Sequence, residues 1–317
     1  MVWPCMPKRC RECPDLASGR NDLGHPCLRG GLFRARKRGH DLCIGARMLD
    51  VKSHRLASLL CCLALFTPAC SGDDGAESES TANTKDRIAN DVLLVHGAWA
   101  DGSCWAKVAK ELFAAGFGVQ AVQLREQSLE DDAALVRHAI DSAPRPLIVA
   151  GHSYGGFVMS EASAGAKNVP ALVFVSAFAP DEGESIGTLA ADYPTTPAIE
   201  NLVVDDQGNS TIEPNAFVRY FAADLPKEEA QVLAAVQHPT AVGILSAVAG
   251  EPGWKTIPSY YQVSSEDQVI DPDLQRKFAE RIQAETIELK ASHVALISQP
   301  GPVADLIVRA ATKAAEK

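Results

Sequence analysis

The 317-residue chain has little that would tie it together covalently or anchor it in a membrane. Beyond residue 70 it holds a single cysteine, Cys104, so that part can form no internal disulfide. No apolar stretch reaches the roughly 20 residues that cross a bilayer; the candidate at residues 56–66 is far too short. Positive charge is scarce as well. After residue 70, 18 Lys and Arg face 35 Asp and Glu, a balance that argues against nucleic acid or an anionic membrane surface as partner. No segment repeats, which excludes a solenoid.

The first 70 residues are different. They carry 12 Lys and Arg against 5 Asp and Glu, and eight of the nine cysteines. Cys10 and Cys13 have zinc-like spacing, but no second pair follows, so no metal site is expected. Residues 1–47, rich in Arg, Gly, Pro and Cys, read as a disordered leader or as translated upstream sequence, with Met48 as the alternative start. Residues 48–70 read as a signal peptide: a basic start, Met48 to Arg55, then the apolar run Leu56 to Phe66. Phe66-Thr-Pro-Ala-Cys70 resembles a bacterial lipobox, which implies lipidation at Cys70 and a lipoprotein facing the periplasm or cell surface. Pro68 and the lack of Leu three residues before the cysteine depart from that pattern, leaving plain secretion as the alternative. Residues 71–86 are polar and acidic and read as a flexible linker.

A single domain is expected over 87–317. Apolar strands at 91–95, 117–124, 146–150, 171–178 and 257–263 alternate with helical patterns at 103–115, 131–142 and 273–284. A short strand at 285–289 and a closing helix at 302–315 complete it. Strands without polar interruption, separated by helices, predict an α/β fold with a mostly parallel sheet covered on both faces. The rhythm breaks at 180–256, which shows helical patches near 185–192, 214–222 and 226–249. A long insertion between sheet strands is usually functional, and this one is expected to cap the site.

Gly151-His-Ser-Tyr-Gly-Gly156 lies between a strand and a helix. Such a Gly-x-Ser-x-Gly turn is so tight that the positions flanking the serine must be nearly free of side chain. It lifts Ser153 Oγ clear of the backbone, as a nucleophile requires. A serine nucleophile needs a base, and the base needs an acid. His293 is the only histidine after His238. Ser264-Ser-Glu-Asp-Gln268, just past a strand, offers the acid, with Asp267 favoured and Glu266 open. Tyr154 N–H opens the helix after the elbow, where unpaired N–H groups and the helix dipole favour negative charge.

Val95-His-Gly-Ala-Trp99, Gly151–Gly156, Ser264-Ser-Glu-Asp-Gln-Val-Ile270 and Ser292-His293 stand in this order over about residues 90–313. With these motifs the chain resembles the α/β-hydrolase superfamily, in the branch of small capped esterases and hydroxynitrile lyases that includes plant methyl esterases. The resemblance implies an α/β-hydrolase fold with Ser153 as nucleophile, Asp267 as acid and His293 as base. It also implies oxyanion-hole N–H groups at Ala98 and Tyr154, and no cofactor or metal. The implied partner is a small ester substrate. Trp99 and Phe178, each just past a strand end, are the expected substrate-binding aromatics. A hydroxynitrile lyase of this branch carries Lys directly after the base; Val294 stands there. A perhydrolase using the same triad stays open, as does a non-catalytic binding lipoprotein on the same fold.

Overall fold

The computed structural model describes residues 87–313. The leader 1–47, the signal-like segment 48–70 with Cys70, and the linker 71–86 lie outside the described residues.

Six parallel strands form the main sheet: β1 (Asp91–Val95), β2 (Gly118–Ala121), β3 (Leu147–His152), β4 (Leu172–Val175), β8 (Ser259–Ser264) and β9 (Glu285–Leu289), in the order β2-β1-β3-β4-β8-β9. The central strands β3, β4 and β8 are buried along their whole length. For β4 that is the physical counterpart of its unbroken apolar sequence, since helices cover both faces, while β8 buries Ser259, Gln262 and Ser264 as well. The register runs Val95 to Gly151, Gly151 to Phe174, and Phe174 to Tyr261. The loops after β1, β3, β4, β8 and β9 therefore collect at one edge.

The flanking helices begin where the sequence caps them. Ser128 accepts a hydrogen bond from Asp131 N–H at the start of α2 (Leu129–Ser142), whose first turn holds Glu130, Asp131 and Asp132. Acids there complement the helix dipole. Asp271 caps α7 (Pro272–Arg281), with Pro272 in the first turn. The expected helix at 103–115 is a short 3₁₀ turn, Gly102–Trp105, continued by α1 (Ala106–Ala114). A single-turn helix α8 (Ala295–Ser298) precedes the closing helix α9 (Pro300–Lys313).

Between β4 and β8 the insertion holds α4 (Ile186–Ala190), α5 (Pro214–Ala216) running into a π-helical turn at Phe217–Phe221, and α6 (Lys227–Ala235). It also holds a small antiparallel sheet of β5 (Leu202–Val204), β6 (Asn209–Ile212) and β7 (Thr240–Ala241). Nothing in the sequence pattern announces this sheet, and the helical patch expected over 226–249 ends at Ala235. Three strands of two to four residues carry too few side chains to show an alternation. β5 and β6 form a local hairpin, whereas the pairing of β6 with β7 joins residues far apart in the chain.

Candidate active site

The turn after β3 is tight. Ser153 has φ 54° and ψ −123°, a backbone conformation that costs a non-glycine residue of order 1–3 kcal/mol. A Cβ on Gly151 would lie 2.5 Å from Gly155 O, and one on Gly155 would lie 2.4 Å from His96 O. Glycine is needed at both positions because backbone passes where a side chain would sit. α3 (Tyr154–Ser163) starts immediately beyond Ser153, leaving Tyr154 N–H among the unpaired donors of its first turn. The Tyr154 phenol reaches back to Asp132 Oδ2 at 3.1 Å, and burial and that carboxylate push its pKa up.

The loop after β1 packs directly on this turn. A Cβ on Gly97 would come within 2.7 Å of Ser153 Cβ. Ala98 and Trp99 follow, both buried, and Trp99 takes a φ of 59°. The His96 ring is fixed in one tautomer. Its Nε2 accepts Leu124 N–H at 2.8 Å, so the proton sits on Nδ1, which faces Gly97 O at 2.9 Å.

Asp267 and His293 meet at the ends of β8 and β9. His293 Nδ1 and Asp267 Oδ2 are 2.7 Å apart with both side chains fully buried. The other carboxylate oxygen, Oδ1, accepts Val269 N–H at 2.8 Å and Ile270 N–H at 3.1 Å. Glu266 instead points to the surface, 3.5 Å from Lys290 Nζ. Asp267 is thus the carboxylate in contact with the histidine. His293 Nε2 is buried and has no hydrogen-bond partner among the described residues. His152 supports the ring from below: the centroids are 4.7 Å apart, and His152 Nε2 donates to His293 O at 2.8 Å. Burial, with the neighbouring His293, holds the His152 pKa well below its ordinary value.

The insertion covers this histidine. The Phe221 ring lies edge-on to His293 at 4.9 Å, and Ser292 Oγ donates to Asp224 Oδ1. Trp99 meets Phe221 at 6.4 Å and helps line a narrow cleft of about 30 Å³ with His152, Phe217, Phe221, Leu233 and Val294. Phe178 is not among the cleft's lining residues. It packs on Phe278 of α7 at 6.0 Å, while its N–H donates to Ser153 O at 3.2 Å. Cys104 borders the cleft, with its thiol pushed up by burial. Among the described residues no group of three His, Cys, Asp or Glu side chains is placed to hold a metal ion.

Two supporting residues carried no sequence signal. Gln275 of α7 donates to Asp267 Oδ2 at 2.7 Å, and its oxygen accepts Ser264 N–H at 3.0 Å. Its position eight residues after the acid becomes meaningful only once α7 folds back along β8. Glu126, in the loop after β2, is fully buried against the Trp99 backbone. It belongs to no motif.

A parallel sheet with a strained serine after its third strand and an acid–histidine pair at its far strand ends is the layout of an α/β hydrolase. The Alpha/beta hydrolase family model matches residues 92–306, and the chain belongs to this family. Among curated proteins it is similar to Methylesterase 8 of Arabidopsis thaliana, 25% identical over 247 residues that cover 70% of this chain and 89% of the relative. Among solved structures it is similar to a pyrethroid hydrolase from Sphingobium faniae JZ-2, with a TM-score of 0.63 at 22% identity, over 72% of this chain and all of that one. Polyneuridine aldehyde esterase gives a TM-score of 0.62 at 19% identity, over 70% of this chain and 98% of that one. The two structures speak for the fold; relatives named as esterases make carboxylic-ester hydrolysis the activity to test.

Proposed function

We propose that the protein is a serine hydrolase of small, apolar carboxylic esters. The observation that carries this reading is the bond between Asp267 and His293 Nδ1, at 2.7 Å, with Nε2 left buried and unpartnered among the described residues. The carboxylate holds the proton on Nδ1, so Nε2 presents a lone pair, as a general base must. Ser153 Oγ attacks the ester carbonyl carbon and gives its proton to His293 Nε2. The carbonyl oxygen becomes an oxyanion, received by Ala98 N–H and Tyr154 N–H. The C–O bond to the alcohol then breaks, and the leaving oxygen takes the proton from His293. Water repeats the cycle on the acyl-enzyme and frees the acid.

Two buried N–H donors make up a large part of such catalysis, since loss of one typically costs about 3–4 kcal/mol at the transition state. The cleft beside Trp99 is lined mainly by aromatic and aliphatic side chains, with Asp101, Ser103 and His152 as the polar ones, which supports apolar over anionic substrates.

The test is labelling of the full chain by a fluorophosphonate, with turnover of p-nitrophenyl acetate in parallel. Wild type should label at Ser153. Ser153→Ala should lose the label and about 10⁴–10⁶-fold in kcat. A folded Ser153→Ala variant with wild-type turnover would sink the proposal, and so would well-folded wild type that neither labels nor hydrolyses any ester in a graded acyl panel.

A further inference from the structure

Ester hydrolysis by the serine, histidine and aspartate leaves two buried acids unused, Asp132, which accepts Arg125 N–H, Glu126 N–H and the Tyr154 hydroxyl, and Glu126. Glu126 is fully buried, and its Oε2 accepts Trp99 N–H at 3.1 Å and the Thr240 hydroxyl. Its Oε1 lies 3.4 Å from His96 Nδ1 and makes no hydrogen bond among the described residues. Thr240 belongs to β7 of the insertion, and Ala241 N–H donates to the Glu126 carbonyl at 2.9 Å. A second histidine, half-exposed His238, stands 3.6 Å from Oε2.

These contacts bracket one peptide group. The Ala98 N–H belongs to the peptide whose carbonyl is Gly97 O. In a trans peptide the C=O and N–H point in opposite directions, so holding the carbonyl aims the donor. His96 Nδ1–H holds that carbonyl at 2.9 Å, and Glu126 Oε1 faces the same nitrogen. On the other side, the next N–H, that of Trp99, is held by Glu126 and by Thr240 Oγ1 at 2.9 Å. Trp99 needs such a hold because φ 59° is unfavourable for a bulky residue. Its indole N–H is tied to the insertion too, to Ser210 Oγ of β6 at 3.1 Å.

We propose that Glu126 is a positioning residue that fastens the insertion to the Gly97–Trp99 loop and thereby aims Ala98 N–H at the reacting carbonyl. The proposal rests on the serine-hydrolase reading. A buried carboxylate is a poor stabiliser compared with an apolar side chain of similar size. The advantage of Glu at this position therefore lies in what it orients. The insertion is then part of the apparatus that builds the donor loop, in addition to covering it.

The experiment compares Glu126→Leu, Glu126→Gln and Thr240→Val with wild type in the full chain. It reads kcat and KM for p-nitrophenyl acetate, the rate of fluorophosphonate labelling, and the thermal midpoint. A misaimed donor costs rate without costing ground-state binding. Glu126→Leu should lower kcat and labelling roughly 10- to 100-fold, with KM within about threefold of wild type. Glu126→Gln should recover most of the loss, because its amide oxygen still accepts Trp99 N–H. Thr240→Val should lower kcat about two- to fivefold, since Trp99 N–H keeps its bond to Glu126. Should Glu126→Leu not fold, Thr240→Val decides, and a kcat equal to wild type in that variant overturns the proposal. Wild-type kcat in Glu126→Leu overturns the proposal. So does activity that falls only in proportion to folded protein, with no rescue by glutamine. Wild type that fails to label overturns the hydrolase reading instead, so the two failures are distinct.

Discussion

The sheet and the insertion are held together by different forces. β1, β3, β4 and β8 bury almost every side chain, and Phe174 stacks on Tyr261 at 6.0 Å between neighbouring strands. The insertion buries less. Of the large hydrophobic side chains that stand exposed among the described residues, Val203, Val204, Val232, Val236 and Val248 lie in it, and only Phe113 lies outside. Ile212, Phe217 and Phe221 do join the core, and individual polar clasps fasten the insertion further. Thr240 and Trp99 meet at Glu126, Asp224 holds Ser292, and Glu184 pairs with Arg281. Apolar burial is additive and indifferent to direction, whereas a hydrogen bond fixes an angle. The sheet thus supplies stability, and the clasps supply aim.

That contrast can be broken at its strong end first. Phe174→Ala removes a fully buried ring from the sheet and should cost about 3–5 kcal/mol in urea unfolding. A loss below about 1 kcal/mol, the usual scale of a surface change, would show that the sheet does not carry the stability. The next effect is electrostatic. His152 is held neutral by burial beside His293, so its folded pKa lies below the value near 6.5 that it has when unfolded. As pH falls below about 6.5, the unfolded chain takes up a proton that the folded one refuses. Stability should then drop by about 1.4 kcal/mol per pH unit on account of this group. His152→Gln keeps a donor for His293 O and should flatten the slope by that amount between about pH 6.5 and 5; equal slopes in the two proteins would contradict it. The smallest effect belongs to the outermost clasp. Lys107 of α1 and Glu229 of α6 pair at 2.7 Å with both side chains largely in solvent. Lys107→Ala should change stability by less than about 1 kcal/mol and leave ester turnover unaltered. A larger loss would place the insertion's hold at its rim.

Much of the sheet was legible because β1, β3 and β4 are local apolar runs, and burial on both faces leaves little polar alternation to confuse them. β9 was expected at 285–289 and lies there. The insertion was legible only as a break in rhythm. Its small sheet joins Asn209 and Ser210 to Ala241 and Thr240, pairings that no short window contains. The choice between Asp267 and Glu266 likewise had to wait for the loop, because adjacent residues differ only in where their side chains point.

Residue identity alone sets the elbow. Gly151 and Gly155 flank Ser153, and a turn that brings backbone within 2.5 Å of a would-be Cβ admits nothing larger. It also determined the order in which serine, acid and histidine occur, since each lies next to a recognisable strand. The groups that support them are set by how the chain folds back on itself. Gln275 meets Asp267 because α7 packs on β8, and Glu126 meets Trp99 because the loop after β2 lies under β7. Those contacts join residues 8 and 27 positions apart, and their value comes from angle and burial, which composition and spacing do not encode.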